Sequence, residues 1–137
     1  MFIDTSAFIA ILTGAPEAAR LADVIAAAKR VYTSPVVRLE TCMRLSTMLD
    51  VTPLAAQALF DAMRTESKID VIAVTDDVGE LAVSAFERFG KGRGNKAKLN
   101  LADCLSYACA KAHYAPILCI GRDFANTDIP LALAPGP

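Results

Sequence analysis

Four short apolar runs, each leading into a helical pattern, set the narrowest limit on this chain. FIDTS ends at Asp4, VYTS closes at Pro35, IDVIAV fills 69–74 and APILCIG ends at Gly121. Each is too short and too β-branched to be a helix, and suits a buried strand. Between them lie helical patterns: SAFIAILTG stopped by Gly14, the Ala-rich APEAARLADVIAAAKR, then PVVRLETCMRLSTMLD and PLAAQALFDAMRTES, each opened by a proline. DDVGELAVSAFERFG and NLADCLSYACAKAHY follow, and RDFANTDIPLALAPGP trails off with room for a last short strand. A proline suits the first turn of a helix, where its missing N–H costs nothing. Strands alternating with helices predict an α/β domain with a mainly parallel sheet and helices on both faces. Such sheets bind ligands beyond the carboxyl ends of their strands, at a switch in strand order.

Composition removes several classes of chemistry. At 137 residues, with 54% hydrophobic residues, residues 1–137 are expected to form one domain with a core of its own. No apolar run reaches the roughly 18 residues that span a bilayer, and no basic-then-apolar leader opens the chain. A cytoplasmic location without membrane attachment is the expectation. Cys42, Cys104, Cys109 and Cys119 form no CxxC pair, and the one histidine, His113, stands four residues beyond Cys109. Zinc sites need paired, closely spaced ligands, so these thiols read as small core residues. With one histidine, any chemistry must rest on carboxylates.

Four acids fall where the predicted topology makes them interesting. Asp4 ends the first strand and Asp123 follows the last. Glu40 lies in the second turn of the helix after VYTSP, and Asp103 in the first turn of the helix opened by Asn100. In an α/β domain all four positions meet at one edge. Each has a plainer role when taken alone. Asp4 can cap a helix ahead of Thr5 and Ser6, and Glu40 can pair with Arg44. Asp103 can complete a capping box with Asn100, and Asp123 can sit in a polar turn. Asp76, Asp77 and Asp128 read as caps or surface acids. Two carboxylates about 4 Å apart repel by roughly 4 kcal/mol at an effective dielectric of about 20, so convergence calls for a cation. Oxygen ligands without thiol or imidazole favour Mg²⁺ or Mn²⁺, and such a site suits phosphoester hydrolysis. Thr5 and Ser6 either cap or orient a water at that site.

The net charge is −1, so no global field draws nucleic acid. Residues 88–98, RFGKGRGNKAK, nevertheless hold five basic residues and no acid. Its Lys91, Arg93, Lys96 and Lys98 can hold a phosphodiester backbone, or form a solvated connector. The segment lacks the GxxxxGK[ST] pattern of an NTP-binding loop.

FIDTSAF, VRLETCMRL after SPVV, FGKGRGNKAKLNLADCLSYACAK and ILCIGRDFANTDI, taken together, resemble the PIN-domain family. More narrowly they resemble the VapC-like toxin ribonucleases of bacterial type II toxin–antitoxin pairs. The resemblance runs along essentially the whole chain. It implies a three-layer α/β/α sandwich and a Mg²⁺- or Mn²⁺-dependent endoribonuclease acting on RNA. It also implies a homodimer, for which the apolar helices from Ala15 to Ser67 are the candidate surface, and a cognate antitoxin that obstructs the cleft. Asp4, Glu40, Asp103 and Asp123 would be the acidic metal set, supported by Thr5 or Ser6. Ala102 stands where a glycine is common in that group, and Asn95 where a histidine is common. Three other readings remain at this level. A phosphatase with an aspartyl nucleophile expects D-x-D, but Ser6 occupies the third position. A receiver-type domain expects adjacent acids after the first strand, and Asp4 stands alone. The last is a module that binds RNA or protein without cutting.

Overall fold

The computed structural model describes residues 1–136, so Pro137 at the end of the expected tail lies outside the described residues. The elements in chain order are β1 (Phe2–Ile3), α1 (Thr5–Leu12), α2 (Ala18–Ala27), β2 (Tyr32–Thr33), α3 (Pro35–Met48) and α4 (Pro53–Glu66). They continue with β3 (Asp70–Val71), α5 (Asp76–Phe89), α6 (Leu101–Ala112), β4 (Ile117–Leu118) and a 3₁₀ turn over Phe124–Asn126. The sheet order is β3-β2-β1-β4 and every pairing is parallel. Phe2 lies opposite both Tyr32 and Ile117, and Thr33 lies opposite Val71.

This order is an α/β sheet wound both ways from β1. The chain steps outward from β1 to β2 to β3, then crosses back to β4 on the other side of β1. Parallel crossovers are right-handed, so α1–α4 cover one face and α5 and α6 the other. The helix pairs agree: α1 packs on α2, α3 and α4, α3 on α4, and α5 on α6. The switch in strand order falls between β1 and β4, which is where a ligand crevice is expected.

Local signals explain the boundaries. Ser34, Thr52 and Thr75 each accept a hydrogen bond from the backbone N–H three residues on, at Val37, Ala55 and Val78, which caps α3, α4 and α5. Pro35 and Pro53 occupy the first turns that follow two of these caps. Asp76 and Asp77 lie in the first turn of α5, where negative charge meets the positive end of the helix. Phe2, Ile3, Ile117 and Leu118 have no exposed surface, as befits strands covered on both sides. Phe8 of α1 stacks on Phe60 of α4 with ring centroids 4.5 Å apart. Thr33, fully buried, donates its hydroxyl to the Ile3 carbonyl at 3.1 Å and ties β2 to β1 from the side. All four cysteines are free and buried.

Two expectations shorten. The run at 69–74 yields only two strand residues, because beyond Ile72 it leaves the sheet and 73–77 is exposed. The expected last strand reduces to a single bridge between Ile117 and Leu131, with Ile117 N–H donating to Pro130 and Ala132 N–H donating to Ile117. What fixes this tail is Asp128, a surface acid whose partners the sequence does not mark. Tyr107 Oη donates to its carboxylate at 2.6 Å, and Lys111 Nζ and Arg88 reach it at 2.9 and 3.3 Å. The Tyr107 hydroxyl bond and the two cations hold the Asp128 carboxyl down at about 2. Among the described residues no helix is long and apolar enough to cross a membrane.

The basic loop has a closed base. Gly90 and Leu99 form a parallel bridge: Lys91 N–H donates to Leu99, and Leu99 N–H to Phe89. Ala97 and Leu99 are fully buried beneath it. Gly90 is there for space, since its φ of −68° suits any residue. A Cβ at this position would run into the ring and carbonyl of Phe86. Gly90→Ala is therefore expected to destabilise the protein by about 1–3 kcal/mol, the usual cost of overpacking. Urea unfolding with an unchanged m-value checks it, and a variant as stable as wild type contradicts the assignment.

Candidate active site

Asp4 is delivered by the turn from β1 into α1. Its backbone N–H still belongs to the sheet and donates to Leu118 of β4 at 3.0 Å. Its side chain already belongs to the helix: Oδ2 accepts from Ser6 N at 3.2 Å and from Ser6 Oγ at 2.9 Å. Ser6 Oγ in turn accepts from Ile120 N at 3.0 Å, just past β4. One hydroxyl thus links the ends of the two strands that flank the switch point. Asp4 is 6% exposed, a buried acid with one oxygen spoken for.

Asp103 is set by a reciprocal cap. Asn100 Oδ1 accepts from Asp103 N at 2.9 Å, and Asp103 Oδ2 accepts from Asn100 N at 3.1 Å. The capping role and a role in the site are therefore compatible, since the second carboxylate oxygen is not used by the box. Burial pushes the Asp103 carboxyl up to about 6, partly opposed by the Asn100 bond. Asp4, Asp123 and Glu40 all add to the rise through their negative charge. Burial pushes the Cys119 thiol up to about 12, and the charges of Asp4, Asp123 and Asp103 add to the rise.

Asp4, Glu40, Asp103 and Asp123 line one cleft of about 490 Å³, together with Thr5, Ser6 and Asn100. Helix α3 meets α6 directly, so Glu40 and Asp103 stand on facing walls. Glu40 makes no ion pair with Arg44 among the described residues. Larger than this cleft is a groove of about 710 Å³ between α2 and α4, but none of the four acids lines it.

The donor set suits a hard divalent cation: carboxylates, hydroxyls and an amide, with no imidazole and no thiol on the wall. Thr5 Oγ1 is buried, belongs to a cleft-lining residue and lacks a hydrogen-bond partner, which leaves an oxygen unspent beside the cleft. As placed, no three acidic, cysteine or histidine side chains among the described residues stand close enough to form a ready-made cage. Four like charges facing one space repel, and inward rotation of flexible carboxylates is what a cation there would require.

The cations of the basic loop are placed differently. Lys91, Arg93, Lys96 and Lys98 are all exposed, and none lines the cleft. They lie along the chain just before Asn100, which does. Asn95 stabilises the loop from within, donating to the Arg88 carbonyl and accepting from Ala97 N at 2.6 Å. Two charged cleft residues escaped sequence reading as site residues, Glu17 and Arg44. Arg44 was visible as a spacing partner of Glu40; nothing in the sequence marked Glu17.

Comparison with known proteins places this geometry. The PIN domain pattern matches residues 1–130. Ribonuclease VapC28 of Mycobacterium tuberculosis is 40% identical over 133 residues, covering 97% of this chain and 98% of that protein. Among solved structures, VapC20 of M. tuberculosis, a toxin that cleaves the sarcin–ricin loop, superposes with a TM-score of 0.77. It has 22% identity and 98% of each chain is covered. A toxin–antitoxin complex from Klebsiella pneumoniae superposes with a TM-score of 0.67 and 20% identity, covering 93% of this chain and 92% of that one. The two structures share the fold; with a family pattern matched over residues 1–130 and 40% identity to a relative along nearly its whole length, the chain belongs to the PIN-domain family.

Proposed function

We propose that this protein is a Mg²⁺- or Mn²⁺-dependent endoribonuclease, the toxin of a type II toxin–antitoxin pair. The observation that carries the reading is that Asp4, Glu40, Asp103 and Asp123 line one cleft, where burial first, and then the charges of the other three, raise the Asp103 carboxyl to about 6. Such a group of acids has no structural use that one or two would not serve, and perturbed carboxyls cluster where chemistry is done. The relatives named as ribonucleases support RNA as the substrate class.

When bound, the ion supplies Lewis acidity toward water and toward a phosphate oxygen. Asp4 and Asp103 would hold it, each keeping one oxygen on its helix cap. Glu40 and Asp123 would hold a second ion or orient the attacking water. Ser6 fixes the Asp4 carboxylate, and Thr5 Oγ1 offers a further oxygen beside the cleft. Asn100 holds Asp103 in place. Lys91, Arg93, Lys96 and Lys98 would bind RNA phosphates beside the cleft. A cognate antitoxin is supported by the shared fold with a chain of a toxin–antitoxin complex. A homodimer is supported by apolar surface on α3 and α4, where Leu39, Met43 and Leu54 are exposed. The expected place of action is the cytoplasm.

Asp4→Asn keeps the shape and the capping acceptor but loses the charge. Cleavage of RNA in Mn²⁺ is expected to fall about a hundredfold or more, with thermal stability close to wild type. A chelator should abolish wild-type cleavage. If the Asn variant cuts as well as wild type, Asp4 is only a cap and the reading fails.

The raised Asp103 carboxyl also fixes a pH dependence. The folded protein keeps a proton that the unfolded chain, with an aspartate near 3.9, has already released. Its contribution to stability is therefore fully present below about pH 4 and is lost as pH rises through about 6. In chelator, wild type should lose melting temperature across that window more steeply than Asp103→Asn. Mn²⁺ should restore what is lost, and parallel profiles for the two proteins would contradict a raised Asp103 carboxyl.

A further inference from the structure

Beyond the acids and the basic loop, one side chain in the cleft has no assigned part. Arg44 projects from α3 one helical turn beyond Glu40 and lines the cleft with Asp4, Glu17, Glu40, Asp103 and Asp123. It is the one basic residue in that lining among the described residues. Four residues from Glu40 and surrounded by acids, it has every opportunity for an internal ion pair, yet makes none among the described residues and stays exposed. Other arginines of the same half of the fold do pair: Arg38 holds Asp61 at 2.7 Å and lies over the Phe60 ring, and Arg64 adds to Asp61 at 3.7 Å.

We propose that Arg44 binds a phosphate of the RNA strand next to the scissile bond. This rests on the ribonuclease reading above. A phosphodiester entering a cleft walled by five carboxylates meets repulsion everywhere except at a bound cation and at Arg44. The exposed lysines and arginine of the loop lie outside the lining and cannot offset that repulsion at the floor. A guanidinium offers a planar fork of donors that matches two phosphate oxygens at once, which an ammonium does not. Its place on α3, whose neighbouring turn carries Glu40, holds the phosphate at a fixed offset from the acids. Arg44 thus sets which phosphate sits over the metal-binding carboxylates.

The test uses the full chain as wild type, Arg44→Ala and Arg44→Lys. Binding of an end-labelled, random-sequence, single-stranded oligoribonucleotide is measured in Ca²⁺ across a salt series, and its cleavage in Mn²⁺. Mn²⁺ affinity is measured separately without RNA. Arg44→Ala is expected to weaken RNA binding about tenfold or more and to lower the salt slope by about 0.7. It should raise KM more than it lowers kcat, and leave Mn²⁺ affinity equal or tighter. Arg44→Lys should recover the salt slope but only part of the affinity. Unchanged RNA binding in Arg44→Ala overturns the proposal, and so does lost Mn²⁺ affinity, which would make Arg44 a structural support of the acids. Arg44-dependent RNA binding without cleavage by wild type would keep the phosphate contact and overturn the ribonuclease reading instead. Failure of wild type to bind RNA at all overturns both.

Discussion

The turn from β1 into α1 is the constraint on which the cleft depends. One residue, Asp4, is both the last to hydrogen-bond across the sheet and the cap of the next helix. Ser6 fastens that carboxylate and at the same time fastens the chain just beyond β4. The two strands on either side of the switch point are therefore locked in register at the point where their acids emerge. A parallel sheet sends every strand end to the same edge, so Asp123 arrives there without any special device. Glu40 and Asp103 come in from opposite faces of the sheet, on helices that start at the same edge. The fold gathers charge simply by its winding.

That gathering is costly without a counter-charge, and the molecule carries the cost visibly. Burial, with the neighbouring carboxylates adding to it, raises the Asp103 carboxyl to about 6 and the Cys119 thiol to about 12. Two acids elsewhere are paired with cations. Asp61 meets two arginines, and Asp128 meets a phenol, a lysine and an arginine. The contrast separates acids paired with cations across helices from acids that share one cleft without a cation partner among the described residues. It also shows why depressed and raised carboxyls sit at opposite ends of α6, with Asp103 in its first turn and the Asp128 cluster gripping its last.

Much of this was legible in the order of residues. Strand ends, prolines and cap-forming side chains announced the edge where Asp4, Glu40, Asp103 and Asp123 would meet, and the capping box at Asn100 was readable in full. What stayed hidden was whatever depends on residues far apart in the chain. Asp128 finds its partners 17, 21 and 40 positions away, on two different helices, so no local pattern marks it. The lengths of strands were overstated because an apolar, β-branched run says that a segment is strand-like, not how far its neighbour accompanies it. At IDVIAV the partner β2 ends at Thr33, so the ladder ends with it. Arg44 was seen only as a neighbour of Glu40, since i,i+4 spacing suggests a pair and says nothing of an open cleft on the same side.

The pinched root of the basic segment has one more consequence. Gly90 and Leu99 clamp the two stems together over buried Ala97, while 91–94 stands clear in solvent with Gly92 and Gly94 at φ of 82° and 78°. Such a loop is closed at its root and open to solvent at its tip. Charge and bulk at the tip can be rewritten without tilting α6 or shifting Asp103. The exposed basic tip is thereby kept apart from the cleft, whose lining holds none of the loop's four cations.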